Sequence, residues 1–80
     1  MRARVTIMPK RNVLDPQGKA VVRAIHQIGM EIVHDARVGK IVEIEIAGND
    51  AESVRPKLEE ICRDLLSNPV IEDYRLEFEK

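Results

Sequence analysis

Aromatic residues are nearly missing from this chain, which has one tyrosine, one phenylalanine and no tryptophan. Sheet domains that bind RNA stack bases on exposed aromatics; Tyr74 and Phe78 both fall on the apolar side of an alternating segment, which excludes that role. Cysteine is scarce too. Cys62 stands alone, so no internal disulfide can form, in keeping with a reducing compartment. The four glycines are scattered singly, leaving no Gly-rich loop to cradle a phosphate. No apolar run is long enough for a signal peptide or a membrane span, and a cytoplasmic protein is expected. Nor is there an excess of either charge: 13 basic and 14 acidic residues leave a net charge of -1, with no field to draw in nucleic acid or an anionic membrane.

What is present is periodic. Eighty residues, 44% of them hydrophobic, suffice for a single domain over residues 1–80. A domain of this size buries only about 60% of the surface its unfolded chain exposes, so a deep enclosed active site is not expected. Ala3, Val5 and Ile7 alternate with Arg4, Thr6 and Met8, the period of a half-buried strand. Asp15 and Pro16 then open a helix in which Val21, Ala24, Ile25 and Ile28 share a stripe and which Gly29 stops. Ile32, His34, Ala36 and Val38 alternate next, and after Gly39-Lys40 the alternation resumes with Val42, Ile44 and Ile46. These segments are expected to form a hairpin whose three-residue loop sets Val38 opposite Val42, although Asp35 then faces Glu45.

A second helix carries Val54, Leu58, Ile61 and Leu65 at spacings of four, three and four. Its start depends on Pro56: a cap at Ser53 leaves the proline in the first turn, whereas a cap at Asp50 costs an internal hydrogen bond. Asn68-Pro69 ends that helix, and Tyr74, Leu76 and Phe78 mark a last strand. The expected fold class is α+β, a split βαβ (β-α-β-β-α-β) with a four-stranded antiparallel sheet and two helices on one face. Its edges would be the second and fourth strands, open to strand addition by another copy.

Chemistry-bearing residues are few. Cys62 lies on the inner side of the second helix and reads as a packing residue, since a nucleophilic Cys needs a base and an electropositive setting. His26 reads as a surface residue and His34 as a satisfied, partly buried one; no His, Cys, Asp or Glu spacing matches a metal site. Glu43, Glu45, Glu77 and Glu79 share the outer face of the sheet with Arg4, Arg37 and Arg75, the pattern of a solvated ion-pair surface. Gly18 is unexplained by helix formation, because glycine costs about 1 kcal/mol relative to alanine there.

Three stretches, "VLDPQG" at Val13 to Gly18, "RVGK" at Arg37 to Lys40 and "LLSNPVIEDY" at Leu65 to Tyr74, resemble in that order and over nearly the whole chain the PurS family. That family is the small subunit of phosphoribosylformylglycinamidine (FGAM) synthase, an enzyme of purine biosynthesis. The resemblance implies a non-catalytic assembly subunit, usually dimeric or a higher homo-oligomer. It would hold together the PurL synthetase, which binds ATP, and the PurQ glutaminase, so that ammonia passes between them. It implies no cofactor for this chain, ATP and Mg being bound in the ligase complex through the large subunit. No nucleic acid or membrane partner is expected. The contact residues implied are Asp15, Pro16, Gln17 and Gly18 in the first loop, Gly39 and Lys40 at the hairpin, and Asn68 and Pro69 before the last strand. No residue is assigned a catalytic or metal-binding role. Met30 stands after Gly29 where many family members have an aromatic. Fold analogy alone offers one alternative, an ACT-like domain that binds a small regulatory molecule.

Overall fold

The computed structural model describes residues 1–79. Strand β1, Arg2–Pro9, lies between β2, Lys40–Glu45, and β3, Glu72–Glu79, in an antiparallel sheet of order β2-β1-β3. The alternation read in the sequence explains the central place of β1. Ala3, Val5 and Ile7 are fully buried; Ala3 is flanked by Ile44 and Phe78, Val5 by Val42 and Leu76, and Ile7 by Tyr74 on one side and the exposed Lys40 at the start of β2 on the other.

The intervening residues build the outer face. Arg2 reaches Glu45 at 2.8 Å, and Arg4 reaches Glu43 at 3.1 Å and Glu79 at 3.0 Å. These pairs are solvent-exposed and individually worth about 0–1 kcal/mol. They fix the sheet's outer side as ionic.

Helix α1, Pro16–Ile28, begins at Asp15 and ends at Gly29, whose φ of 108° is the left-handed value that favours glycine. Helix α2, Ala51–Ile61, starts from Asp50, whose carboxylate accepts the Ser53 N–H at 3.3 Å. Of the two caps weighed from sequence, the earlier is used, and Pro56 sits inside the helix where its missing N–H removes one rung of the ladder. The helix then widens into a π-helical turn, Cys62–Leu66, closed by Ser67, whose N–H and hydroxyl both donate to Cys62 O at 3.0 and 2.8 Å.

That widened turn re-aims the end of the apolar stripe. Leu58 and Cys62 are buried and Leu66 packs on the core, whereas Leu65, assigned inward by spacing, is 75% exposed. Cys62 is the packing residue expected, joining Val5 and Ile7 in the buried cluster.

Two expectations are corrected. The sheet has three strands, not four, because residues 32–38 form no ladder although they alternate as a strand should. The helices also do not share one face of the sheet as a pair over the core: no side chain of α1 enters the buried cluster. Helix α2 sits over β3, where Tyr74 Oη donates to Glu59 at 3.2 Å and the Arg55 guanidinium lies 4.8 Å from the Phe78 ring centroid. The molecule is accordingly long and thin, 49 × 26 × 14 Å, with a radius of gyration of 16.1 Å, against about 12 Å for a compact chain of this length.

Candidate functional site

The first two contact stretches named from sequence meet in space. From β1 the chain runs through residues 10–15 into α1, and after a turn at residues 31–32 the segment of residues 33–39 returns alongside that helix's first turn. Asp15 ties the two together: its carboxylate accepts the Val38 N–H at 2.9 Å. The hydrogen bond from Val38, then the nearby first-turn N–H groups of Gly18 and Gln17, which fall short of hydrogen-bond geometry, hold the Asp15 carboxyl below its ordinary pKa of 3.8. Arg37 Nη1 donates to Pro9 O at 3.1 Å, and His26 Nε2 donates to Val33 O at 2.7 Å. His26 is thus a fastener between helix and segment rather than a plain surface residue. His34 is exposed, not partly buried as its alternation suggested.

Gly18 answers a packing need that only the fold reveals. A Cβ built there would lie 2.0 Å from Ala36 O, so the helix start and the returning backbone touch only because the side chain is absent. Gly39 has the same character, since a Cβ would meet the Met8 sulfur at 2.2 Å and Ile7 O at 2.4 Å. Beside this junction lies an open recess of about 330 Å³ lined by Arg11, Lys19 and Arg37 with Asp15 and Asp35.

Asn68 and Pro69 stand apart from that junction, at the entry to β3. Asn68 Oδ1 accepts the Val70 N–H at 3.1 Å, its carbonyl accepts the N–H groups of Ile71 and Glu72, and its own N–H is held by Glu72 at 2.8 Å. Lys10 N–H donates to Ile71 O at 2.8 Å, so this loop and the α1 loop both lie at the Pro9 end of β1. Leu65, Val70 and Ile71 surround it as exposed apolar side chains. Sequence reasoning did not single them out as a surface: Leu65 was read into the helical stripe, and the signal for Val70 and Ile71 was their position just after Asn-Pro, where neither helix nor strand periodicity covers them.

The chemical inventory is sparse. Burial and the neighbouring Glu59 push the Cys62 thiol upward, opposite to the depressed pKa of a reactive cysteine. Burial, followed by the hydrogen bond to Glu59, likewise raises Tyr74. Among the described residues, no group of three or more His, Cys, Asp or Glu side chains is placed to hold a metal ion. Among the described residues no helix is long and apolar enough to cross a membrane. The arrangement offers shaped backbone and exposed apolar surface.

Asp15 supplies a pH-dependent test. Because its folded pKa is depressed, its contribution is complete above the unfolded carboxylate's value and is lost as pH falls through that value to the folded one. Acidification below about pH 4 should therefore lower the protection factor of the Val38 amide, its exchange rate relative to the intrinsic rate at the same pH, so that an increase in relative exchange is what the experiment reads. In Asp15→Asn that acid-dependent increase should largely disappear; an unchanged increase in the variant would place its origin elsewhere.

Comparison with known proteins agrees with this geometry. Residues 2–80 match the family model of PurS, phosphoribosylformylglycinamidine (FGAM) synthase. The chain is similar to the solved PurS of Bacillus subtilis, with 42% identity, a TM-score of 0.85 and coverage of 99% of this chain and 98% of the other. It is also similar to PurS of Methanocaldococcus jannaschii, a subunit of formylglycinamide ribonucleotide amidotransferase in the purine biosynthetic pathway, with 38% identity, a TM-score of 0.82 and coverage of 99% and 95%. A chain in the PurLQS structure of Thermotoga maritima matches with 26% identity and a TM-score of 0.81 over 95% of this chain and 93% of that one. With the family model spanning nearly every residue and relatives aligned end to end, the chain belongs to the PurS family of FGAM synthase subunits in purine biosynthesis.

Proposed function

We propose that this chain is the non-catalytic assembly subunit of a cytoplasmic FGAM synthase, holding the PurL synthetase and the PurQ glutaminase together so that ammonia passes between them. The observation that carries this reading is the end-to-end likeness to a chain of the Thermotoga maritima PurLQS structure. The absence of an activated nucleophile is compatible with it, since the one thiol is buried with its pKa raised. ATP and Mg then belong to the large subunit, and this chain contributes contact surface. Its contacts are the loop Asp15 to Gly18, the adjoining Gly39 and Lys40, and Asn68 and Pro69 with their apolar surroundings. The subunit works as a homodimer or a larger homo-oligomer. The ACT-like alternative gains no support from the matched family or from the relatives described above.

Reconstitution with PurL and PurQ from the same source tests the bridge. Omitting this chain should abolish FGAM formation with glutamine as nitrogen donor and leave the rate with free ammonium intact. Equal glutamine-dependent rates with and without it would overturn the reading.

A further inference from the structure

Cations and carboxylates are unevenly spread along this chain. Residues 11–40 hold five Lys and Arg against three Asp and Glu, whereas the remaining residues hold eight against eleven. Pairing follows the same division. Among the described residues, every Lys and Arg outside that span has a carboxylate oxygen at 3.5 Å or less, whereas Arg11, Lys19, Arg23, Arg37 and Lys40 form no ion pair.

Three of these five cations meet in the recess beside Asp15. They come from separate stretches: Arg11 from the loop after β1, Lys19 from the first turns of α1, and Arg37 from the returning segment. The approach of Gly18 to Ala36 O and the bond from Val38 to Asp15 hold those stretches together, so backbone contacts, and no shared carboxylate, gather the like charges. Arg37 is fixed further by its 3.1 Å bond to Pro9 O, which leaves most of its guanidinium donors unspent. Two carboxylates also line the recess. Asp15 already accepts the Val38 N–H, and Asp35 stands at the margin, where a second recess of about 240 Å³ adjoins across Lys19 and Asp35 and adds Arg23.

We propose that this recess binds the phosphoryl group of a small metabolite, with Arg11, Lys19 and Arg37 as its donors. A phosphoryl group presents three oxygens to donors arriving from three directions, whereas a planar carboxylate suits a single guanidinium fork. Its double charge also matches cations that the chain leaves uncompensated. Asp15 and Asp35 weigh against a singly charged ligand. The recess, about 330 Å³, lies at the lower end of the ~300–1,000 Å³ usual for small-ligand pockets. Two sources share this chemistry: a sugar phosphate monoester, held in the first recess, and an oligophosphate, which would run on past Lys19 to Arg23. The site lies within one chain, so it goes beyond the bridging role and does not depend on it.

The full chain, followed by its amide chemical shifts, is titrated with ribose 5-phosphate and with pyrophosphate, against potassium chloride at matched ionic strength. Saturable shifts at Arg11, Lys19 and Arg37 with a phosphate probe, absent with chloride, are the expected result, and the tighter probe names the source. Arg11→Gln combined with Lys19→Gln should weaken binding about tenfold or more. Both side chains are exposed, so that variant should keep the shifts of the sheet. Lys57→Gln, which removes a cation paired with Glu60 on α2, should leave the affinity unchanged. Shifts that never saturate, or an equal loss in the Lys57 variant, overturn the site and leave only a diffuse attraction for anions. Malonate binding as tightly as either phosphate probe overturns the phosphoryl assignment.

Discussion

Ile7→Ala should remove a large share of the stability of this chain. Ile7 is fully buried on the central strand, between Tyr74 and the start of β2, and joins Val5 and Cys62 in the only fully buried cluster among the described residues. Deleting three carbons at such a site forfeits their transfer free energy and leaves a cavity, which together cost about 2–5 kcal/mol. A chain of 80 residues holds roughly 4–12 kcal/mol in total. The urea midpoint, measured at one fixed protein concentration because association adds to apparent stability, should therefore fall steeply. Leu65→Ala is the matched control: the π-helical turn has put that side chain in solvent, and a surface change of this kind stays within about 0.5 kcal/mol. Equal losses for the two variants would mean that the widened turn does not set which apolar residues face the sheet.

The second large effect is expected at Gly18. On helix propensity alone Gly18→Ala should stabilise by about 1 kcal/mol. The fold reverses that sign, because the new Cβ would sit 2.0 Å from the backbone oxygen of Ala36 and 2.8 Å from the Asp15 carboxylate. The returning segment must then move away from α1, with an overpacking cost of about 1–3 kcal/mol, and the Asp15 bond to Val38 is pulled apart. The damage is local. No α1 side chain belongs to the core cluster, so the sheet and α2 should stay folded while the junction loosens. In the reconstituted synthase this should appear as a fall in the glutamine-dependent rate of about 5–150-fold, with the ammonium-dependent rate unchanged. Gly18→Val should behave the same way and more strongly. A Gly18→Ala chain that is more stable and fully active would show that the helix start and the returning segment do not touch in solution.

Much of the local structure was legible because it depends on neighbours in the chain. Pro16 at the first helical position and Gly29 as a left-handed stop bracket α1, effects confined to one turn, whereas the Asp15 carboxylate makes no cap hydrogen bond and is spent on Val38. The alternation Ala3, Val5, Ile7 marks the buried side of β1 because side chains in a strand alternate faces whatever its partners are. The partner loops were visible as residue types: Asp15 to Gly18 and Gly39-Lys40 as turn chemistry, Asn68-Pro69 as a helix stop. Their assembly into one junction was not visible, since nothing in the spacing says that Ala36 O lies against Gly18.

By itself, then, the sequence determined the identity of β1, β2, β3, α1 and α2, the inner faces of the three strands, the burial of Cys62, and the resemblance that the family comparison bears out, but not the stripe read on α1, whose Val21 and Ile28 are exposed. Tertiary structure decided the rest. It chose Asp50 over Ser53 as the cap despite Pro56, it widened the end of α2 so that Cys62 and Leu66 face the core in place of Leu65, and it left residues 32–38 without a ladder in their own chain. The reason is physical: periodicity records which side of a segment is apolar, whereas a strand is completed by N–H and C=O groups that can lie anywhere along the chain or on another molecule. The same alternation therefore suits a hairpin strand or a segment that, as here, is held to the start of α1 by the Val38 bond to Asp15 and joins no ladder.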